Sequence, residues 1–215
     1  MKLDAIDALL TPVSISDKQQ LLLYVPDIQA VQIEYNKQIQ TDDSIVFPFW
    51  AKIWDSSIAL ADFLQKNWVL IQQKKVLELT AGLGLPSFIA SAHAKHVICS
   101  DYVQAPLFFV DKTIEYHRFE NITTQIIDCT NVPKELEVDV VLMSDIQYKP
   151  ELFAGILQTI QYYLSKGVTI IITTPQRIMA KEFGNAIQPF IVHSEHYQLL
   201  AKETTIQLWV LKKWV

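Results

Sequence analysis

The chain has 215 residues, 50% of them hydrophobic and 19% charged, with a formal net charge of -5. This length fits one domain, or one domain with a small extension, and the absence of a basic cluster argues against a broad nucleic-acid footprint, although a small basic surface would escape that test. No apolar run reaches the roughly 18–20 residues of a membrane span, and Asp4, Asp7 and Asp17 are untypical of a secretion signal, so we expect a cytoplasmic protein without membrane contacts.

The N-terminal part predicts a small β element, because residues 21–25 and 31–35 are β-like runs. Further along, Asp55 or Ser56 could cap a helix that continues through Leu64. We therefore predict an N-terminal β extension over residues 1–46 and one further domain over residues 47–215.

From residue 74 onward, β-like runs alternate with helical patterns, an arrangement that builds a parallel sheet covered by helices. Prolines that can occupy the first turn of a helix place helix starts near Pro86, Pro106 and Pro150. The third helix has apolar residues at helical spacing over 152–164 and ends before Gly167. The first five predicted strands are 76–79, 97–100, 123–127, 138–144 and 168–173.

The chain ends in a helical stretch, 176–187, and two β-like runs, 190–199 and 204–212. The few residues between these runs permit a hairpin and forbid a parallel crossover. The predicted fold is therefore α/β: a Rossmann-like, doubly wound sheet of seven strands, mostly parallel with an antiparallel last strand, helices on both faces and a small N-terminal β extension.

The stretch VLELTAGLGLPS at 76–87 predicts a strand, a glycine turn and a helix. Gly82 and Gly84 let a ligand lie against backbone, and Asp101, 17 residues after Gly84, ends the next strand, where a carboxylate can accept from ribose hydroxyls. A dinucleotide site would need a third glycine, and Pro86 removes an amide that would face a phosphate. Glu78 adds a second acid suited to a cationic ligand. S-adenosylmethionine meets these conditions.

Several motifs in order resemble those of class I, seven-strand S-adenosylmethionine-dependent methyltransferases: VLELTAGLGLPS, CSD ending at Asp101, IIDCT around Asp128, and LMSDIQY ending at Tyr148. Within that class, FPFWAKIWDSSIALADFL and the Asp-x-x-Tyr of residues 145–148 are similar to the protein lysine methyltransferases of methyltransferase family 16. The resemblance covers roughly residues 47–175.

The resemblance implies cofactor roles for eleven residues. It places Asp101 on the ribose, Tyr102 and Asp128 at the adenine, and the remaining eight around the methionine part, the adenine wall and the methyl channel: Trp54, Glu78, Thr80, Ala81, Gly82, Gly84, Cys129 and Ser144. The chain departs from the family in having Thr80 where glycine is usual and Cys129 where many members have tryptophan.

The chemistry we expect is N-methylation of a protein lysine, with S-adenosylhomocysteine as the product. Our hypothesis is that Asp145 orients the substrate ammonium and accepts its proton, while the Tyr148 ring shapes the channel. Because an ionised carboxylate raises the pKa of a neighbouring lysine, Asp145 is a better positioner than activator. Two alternatives stay open: a small-molecule N-methyltransferase and a cofactor-binding module without catalysis.

Simpler roles compete with some of these assignments. Asp101 could merely cap a turn, and Trp50 and Trp54 could only close the core. His193 and His196 would point to opposite faces of a strand, and the two cysteines lack metal-ligand spacing, so we expect no metal. A monomer or weak dimer is expected.

Overall fold

The computed structural model describes residues 6–16, 19–43, 45–146, 150–175, 181–198 and 205–213. Its N-terminal part is a hairpin of β1 (Ala8–Ser16) and β2 (Gln19–Pro26), followed by α1 (Ile28–Gln38). The predicted run 21–25 lies in β2. Strand β1 was not predicted from the sequence. It contains Pro12, which has no N–H to donate to a β-ladder and therefore argues against a strand.

The prediction of a strand at 31–35 was wrong, because these residues lie in α1. Asp27 precedes the helix, and its Oδ1 accepts from the backbone N–H groups of Gln29 at 2.7 Å and Ala30 at 3.3 Å. This capping satisfies amides that have no partner inside the helix. Val31 of this helix is fully buried. Tertiary packing therefore overrides the β preference of its side chain.

The main sheet has seven strands in the order β5-β4-β3-β6-β7-β9-β8. Neighbours are parallel from β5 to β7, whereas β9 is antiparallel to both β7 and β8. This confirms the predicted seven-stranded, mostly parallel sheet with an antiparallel last strand. The strands are β3 (Lys75–Leu79), β4 (His96–Asp101), β5 (Ile122–Ile126), β6 (Val140–Ser144), β7 (Thr169–Pro175), β8 (Ile191–Gln198) and β9 (Thr205–Leu211).

Helices cover both faces of this sheet: α2 (Asp55–Lys66), α3 (Leu85–Ser91), α4 (Gln104–His117), α5 (Phe153–Ser165) and α6 (Lys181–Ile187). Residues of α2, α3 and α4 share one hydrophobic cluster with Val76 of β3, and residues of α5 and α6 share another with Leu77. The alternation of Val76 and Leu77 between the two clusters follows from the two-residue period of a strand. None of the helices in the described ranges combines the length and the apolar character that a membrane span requires.

The start of α2 differs from the prediction, since the residue that precedes it is Trp54 and no side chain caps it. Asp55 is the first residue of the helix, where a negative charge is favourable to the helix dipole. Ser57 donates from its hydroxyl to the Trp54 carbonyl at 2.7 Å. The helix start therefore holds Trp54 in place.

The N-terminal hairpin packs against the helices that cover one face of the seven-stranded sheet. Its buried residues Val13, Ile15 and Leu23 belong to the same hydrophobic cluster as α2 and α3. The Tyr24 N–H also donates to Thr113 Oγ1 on α4 at 3.0 Å. The division of the chain at residue 46 stays a prediction.

The strand order changes direction between β3 and β6. The chain leaves β3 through α3 on one face of the sheet and leaves β6 through α5 on the other. In open α/β sheets, ligands bind beyond the carboxyl ends of the strands at such a switch point. The turn after β3 and the residues that end β6 therefore mark the site.

Candidate active site

The turn after β3 has a left-handed backbone at three positions, with φ of 55° at Thr80, 54° at Gly82 and 72° at Gly84. A side chain on Gly84 is also excluded by space, since a Cβ there would lie 2.9 Å from the sulfur of Cys99. Glycine adopts this conformation without a steric penalty, whereas a β-branched residue does not. Thr80 is thus the strained member of the turn.

We expect Thr80→Gly to raise the free energy of unfolding by about 1 kcal/mol, because glycine relieves the left-handed strain of a β-branched residue. The gain is reduced by loss of the hydrogen bond from Thr80 Oγ1 to the Leu79 carbonyl, 2.6 Å long. Urea denaturation of both proteins measures it. Gln73→Gly is the matched control, since Gln73 has φ of 56° outside the cavity. The expectation would be contradicted if Thr80→Gly left the stability unchanged or lowered it while Gln73→Gly did not.

Asp101, the last residue of β4, connects two loops at the site. Its Oδ2 accepts from the Gly82 N–H at 3.0 Å, and its Oδ1 accepts from the Val103 N–H at 3.2 Å. Burial raises the pKa of this carboxyl, while the bonds from these backbone amides act in the opposite direction. Because two carboxylate oxygens together offer about four acceptor positions, each keeps the capacity to accept a ligand hydroxyl.

Glu78 lies beneath the turn and does not line the cavity. The strand period places it on the same face as Val76, where its Oε2 accepts from the N–H and the hydroxyl of Ser87 at 2.8 and 2.5 Å. Its Oε1 has no hydrogen-bond partner among the described residues. Burial raises the pKa of Glu78 to about 8. In this structure its role is to hold the start of α3 beneath the turn.

The raised pKa of Glu78 predicts a pH-dependent stability. Between the ordinary value of 4.5 and about 8, the folded carboxyl binds a proton that the unfolded chain has lost. Stability is therefore highest at the acid end of this window and falls as pH rises through it, by up to about 1.4 kcal/mol per pH unit. We expect Glu78→Gln to remove this decline, measured by urea denaturation at several pH values. Glu115→Gln, at an exposed position of α4, is the control and should retain the wild-type slope. Equal slopes for wild type and Glu78→Gln would contradict the assignment.

The segment before α2 forms a wall over the glycine turn. The position of a Cβ on Gly82 would lie 3.6 Å from the carbonyl oxygen of Trp50, so the two backbones are close. The Trp50 ring stacks on Phe109 at a centroid distance of 5.8 Å. Trp54 donates from Nε1 to the Phe49 carbonyl at 2.7 Å. The wall is thus fixed to the turn and to α4 at Trp50, and the Trp54 bond to Phe49 ties its two ends to each other.

A cavity of ≈ 310 Å³ lies between this wall, the glycine turn and the ends of β4 and β6. It brings together nine of the residues predicted from the sequence: Trp54, Thr80, Ala81, Gly82, Gly84, Asp101, Tyr102, Ser144 and Asp145. It is also lined by residues that were not assigned to the site: Phe47, Phe49, Trp50, Lys52, Ile53, Ser57, Leu83 and Leu85. The high density of aromatic residues in the stretch FPFWAKIW was the signal that could have identified Phe47, Phe49 and Trp50.

Asp128 and Cys129, predicted at the adenine, do not line this cavity. Asp128 is exposed, and its Oδ1 accepts from the N–H and hydroxyl of Thr130, both at 2.8 Å. Cys129 is buried, and its pKa is raised to about 12, first by burial and then by the charges of Asp128 and Asp101. The Ile127 N–H donates to the Asp101 carbonyl at 2.9 Å, which brings the chain just before Asp128 and Cys129 beside the Asp101 end of the cavity. The adenine contacts of both residues stay predictions.

Ser144 and Asp145 reach the cavity from the carboxyl end of β6. Asp145 has φ of 54°, and its N–H donates to the Thr173 carbonyl at 2.8 Å. Aspartate tolerates the left-handed region better than most residues, so this turn directs the chain away from the strand at modest cost. Tyr148, the second predicted catalytic residue, lies outside the described residues.

No group of three metal-ligating side chains is placed to hold an ion in the part of the chain that the structure describes. His193 Nε2 instead lies 3.2 Å from Glu195 Oε2 on β8. The cavity itself is mainly nonpolar and aromatic, and its described lining has three charged side chains, Lys52, Asp101 and Asp145.

Comparison with known proteins gives a family match over most of the chain. Residues 13–189 match the family model described as "Lysine methyltransferase". Among curated proteins, "Protein N-lysine methyltransferase METTL21A" of Danio rerio is 31% identical over 133 residues, which cover 57% of this chain and 58% of that protein. "EEF1A lysine methyltransferase 3" of Xenopus tropicalis is 26% identical over 133 residues, covering 59% and 58%.

One further curated relative is named for a different acceptor residue. "Histone-arginine methyltransferase METTL23" of Xenopus laevis is 27% identical over 120 residues, which cover 53% of this chain and 51% of that protein. The chain thus spans less than two thirds of the length of these curated relatives.

Solved structures share the fold at lower identity. TrmN from Thermus thermophilus has a TM-score of 0.60 and 18% identity, covering 74% of this chain and 49% of that chain. SMU.1697c from Streptococcus mutans, crystallised in complex with SAH, has a TM-score of 0.52 and 17% identity, covering 74% and 100%. These likenesses confirm the Rossmann-like fold.

Proposed function

The chain belongs to the lysine methyltransferase family, and from that membership we propose that it transfers a methyl group from S-adenosylmethionine to a lysine side chain of a protein. One observation carries the proposal: Asp145 at the end of β6 lines the same cavity as the glycine turn and Asp101. This joins an acid suited to an amine substrate with a nucleoside site at the switch point of the sheet.

The residues around the cavity fit S-adenosylmethionine. The Asp101 oxygens keep acceptor capacity for two ribose hydroxyls, and Tyr102, 40% exposed, offers an aromatic face to the adenine. The cavity volume of ≈ 310 Å³ is at the lower end of the range for small-molecule sites, about 300–1,000 Å³. When bound, the cofactor would supply a methyl group activated by a positively charged sulfur.

The pyrophosphate of a dinucleotide fits less well. Pro86 has no N–H, and the Ser87 N–H already donates to Glu78. The first turn of α3 thus has few free amides for a phosphate, whereas an adenosine without phosphates needs none there. The acids Asp101 and Asp145 would also repel a polyanion.

The protein side of the reaction is mainly alignment and exclusion of water. In our proposal, Asp145 accepts a hydrogen bond from the substrate ammonium, directs the nitrogen toward the methyl group and receives the proton that the amine must lose. Ser144, 8% exposed, lines the cavity beside it, which supports its predicted place in the methyl channel. We assign the predicted role of channel wall to Tyr148.

Two features support a protein as the substrate. The first is that METTL21A is named as a protein N-lysine methyltransferase. The second is that Phe47 and Phe49, at 40% and 44% exposed, line the cavity and remain open to solvent. Such an exposed aromatic entrance suits a side chain presented on a larger surface.

The proposal is tested with the methyl-labelled cofactor and a cell lysate. We expect label in protein bands and, after hydrolysis of those bands, in methylated lysine. Label confined to the small-molecule fraction would favour the small-molecule alternative, and label in methylated arginine would assign the acceptor named for METTL23. Calorimetric binding of S-adenosylhomocysteine without any transfer would leave a non-catalytic cofactor-binding module. Absence of both binding and transfer would refute the proposal.

The cytoplasmic location, the lack of membrane and nucleic-acid partners, the monomer or weak dimer and the domain boundary at residue 46 stay predictions from the sequence.

A further inference from the structure

Lys52 is the one basic side chain among the described residues that line the cavity, and nothing in the proposed reaction uses it. Its Nζ lies 3.6 Å from the centroid of the Trp54 ring. An ammonium at this distance is attracted by the negative face of an indole. The Trp54 face thus holds a cation at the edge of the cavity.

The position of Lys52 follows from the residues on either side of it. Trp50 packs its backbone against Gly82 of the glycine turn, and Trp54 is held at the start of α2 by its Nε1 bond to the Phe49 carbonyl. Lys52 lies midway between these two fixed points. Its long side chain therefore extends from the wall that covers the glycine turn, where the methionine part of the cofactor is proposed to lie.

The glycine turn offers few hydrogen-bond donors for a carboxylate. The Ala81 N–H donates to the Ser100 carbonyl at 2.9 Å, the Gly82 N–H donates to Asp101, and the Gly84 N–H donates to the Ala81 carbonyl at 2.9 Å. The start of α3 adds few donors, because Pro86 has no N–H and the Ser87 N–H donates to Glu78. The backbone donors at these positions are already satisfied within the protein.

The charges in the cavity also leave few partners for a carboxylate. S-adenosylmethionine carries a sulfonium, an ammonium and one carboxylate, while the charged lining residues are Asp101, Asp145 and Lys52. Two acids would repel the carboxylate, and an unpaired carboxylate in a partly desolvated cavity is costly. Lys52 is the single side chain of the described lining that can compensate this negative charge.

We propose that the Lys52 ammonium binds the carboxylate of the cofactor's methionine part and selects for cofactors that carry it. This inference rests on the proposed use of S-adenosylmethionine. In this role the long side chain turns from the Trp54 face toward the glycine turn, which lines the same cavity. Lys52 is therefore a cofactor-binding residue from the wall segment, outside the motif that follows β3.

The test compares two ligands that differ only in the carboxylate: S-adenosylhomocysteine and its decarboxylated analogue. We expect Lys52→Met, which keeps the length of the side chain without its charge, to weaken calorimetric binding of S-adenosylhomocysteine by about tenfold. Binding of the decarboxylated analogue should be unchanged, and Lys52→Arg should restore most of the affinity for S-adenosylhomocysteine.

The matched control is Lys112→Met. Lys112 also lies over an aromatic ring, with its Nζ 4.5 Å from the Phe108 centroid, but it does not line the cavity. This variant should bind both ligands as the wild type does. A loss common to both lysine variants would show a general effect of charge and overturn the inference.

Other outcomes also decide the matter. Equal weakening of both ligands by Lys52→Met, or no weakening of either, would overturn the role of Lys52 and leave the proposed function standing. Methylation of Lys52 itself, seen in the intact mass and a peptide map after incubation with S-adenosylmethionine, would overturn it as well, because Nζ would then face the methyl group. Failure of the wild type to bind either ligand would instead refute the proposed function.

Discussion

Asp101→Ala should weaken binding of S-adenosylhomocysteine by about a hundredfold or more, because it removes two charge-assisted hydrogen bonds to the ribose. The structure adds a second cause. Asp101 also accepts from the N–H groups of Gly82 and Val103, so its loss leaves both loops without the acceptor that orders them. Isothermal titration calorimetry of the variant and the wild type measures the change.

Two controls separate these causes. Asp101→Asn keeps one oxygen that can accept from Gly82, so it should retain the loop better and show an intermediate loss. Asp111→Ala removes an exposed carboxylate of α4 that accepts from Thr124 Oγ1 at 2.8 Å, outside the cavity, and should bind normally. A thermal melt confirms that each variant folds. Wild-type affinity in a folded Asp101→Ala would show that the carboxylate does not hold the ribose.

Asp145→Asn should retain cofactor affinity and lower the rate of methyl transfer by about a hundredfold or more. The expected loss arises because an amide cannot accept the proton of the substrate ammonium and attracts that ammonium less strongly. Asparagine is the informative substitution, since Asp145 has φ of 54° and asparagine tolerates this conformation. The measurement is the initial rate of labelled methyl transfer to lysate proteins at saturating cofactor.

Asp145→Gly provides the second arm of this experiment. Glycine keeps the left-handed backbone and removes the whole side chain, so it should lose transfer at least as strongly as asparagine. Calorimetry on the same samples checks that binding of S-adenosylhomocysteine is preserved. Turnover at the wild-type rate in Asp145→Asn would exclude the proposed role, whereas loss of binding would move Asp145 to the cofactor site.

Local patterns were sufficient for most of the sheet. The buried Val, Ile and Leu runs predicted β3, β6 and β7, because a strand with both faces covered has a strong local signature. The largely exposed strands β5 and β8 were predicted from β-like runs, and the antiparallel ending from the short connection between the last two runs. The same rules failed near the N-terminus. Pro12 concealed β1, and the β-branched residues at 31–35 concealed α1, whose helix depends on the Asp27 cap and on burial of Val31.

The sites of the individual acids could be predicted only in part. Asp101 ends a strand beside a glycine turn, which is a local signal, and the structure places it in the cavity. Glu78 is much closer to the turn in sequence, four residues before Gly82, yet it is buried against Ser87 on the other side of the backbone. The strand period decides this difference, and it becomes informative only once the covering helix is known.

The sequence by itself determined the succession of strands, the glycine turn and the acids at strand ends, because these depend on residues that are neighbours in the chain. Only the tertiary structure decided that the aromatic wall of residues 47–54 closes over that turn and brings Lys52 to the cavity. The physical reason is that this wall is positioned by contacts between distant parts of the chain, such as those of Trp50 with Gly82 and Phe109. No spacing along the sequence encodes such contacts.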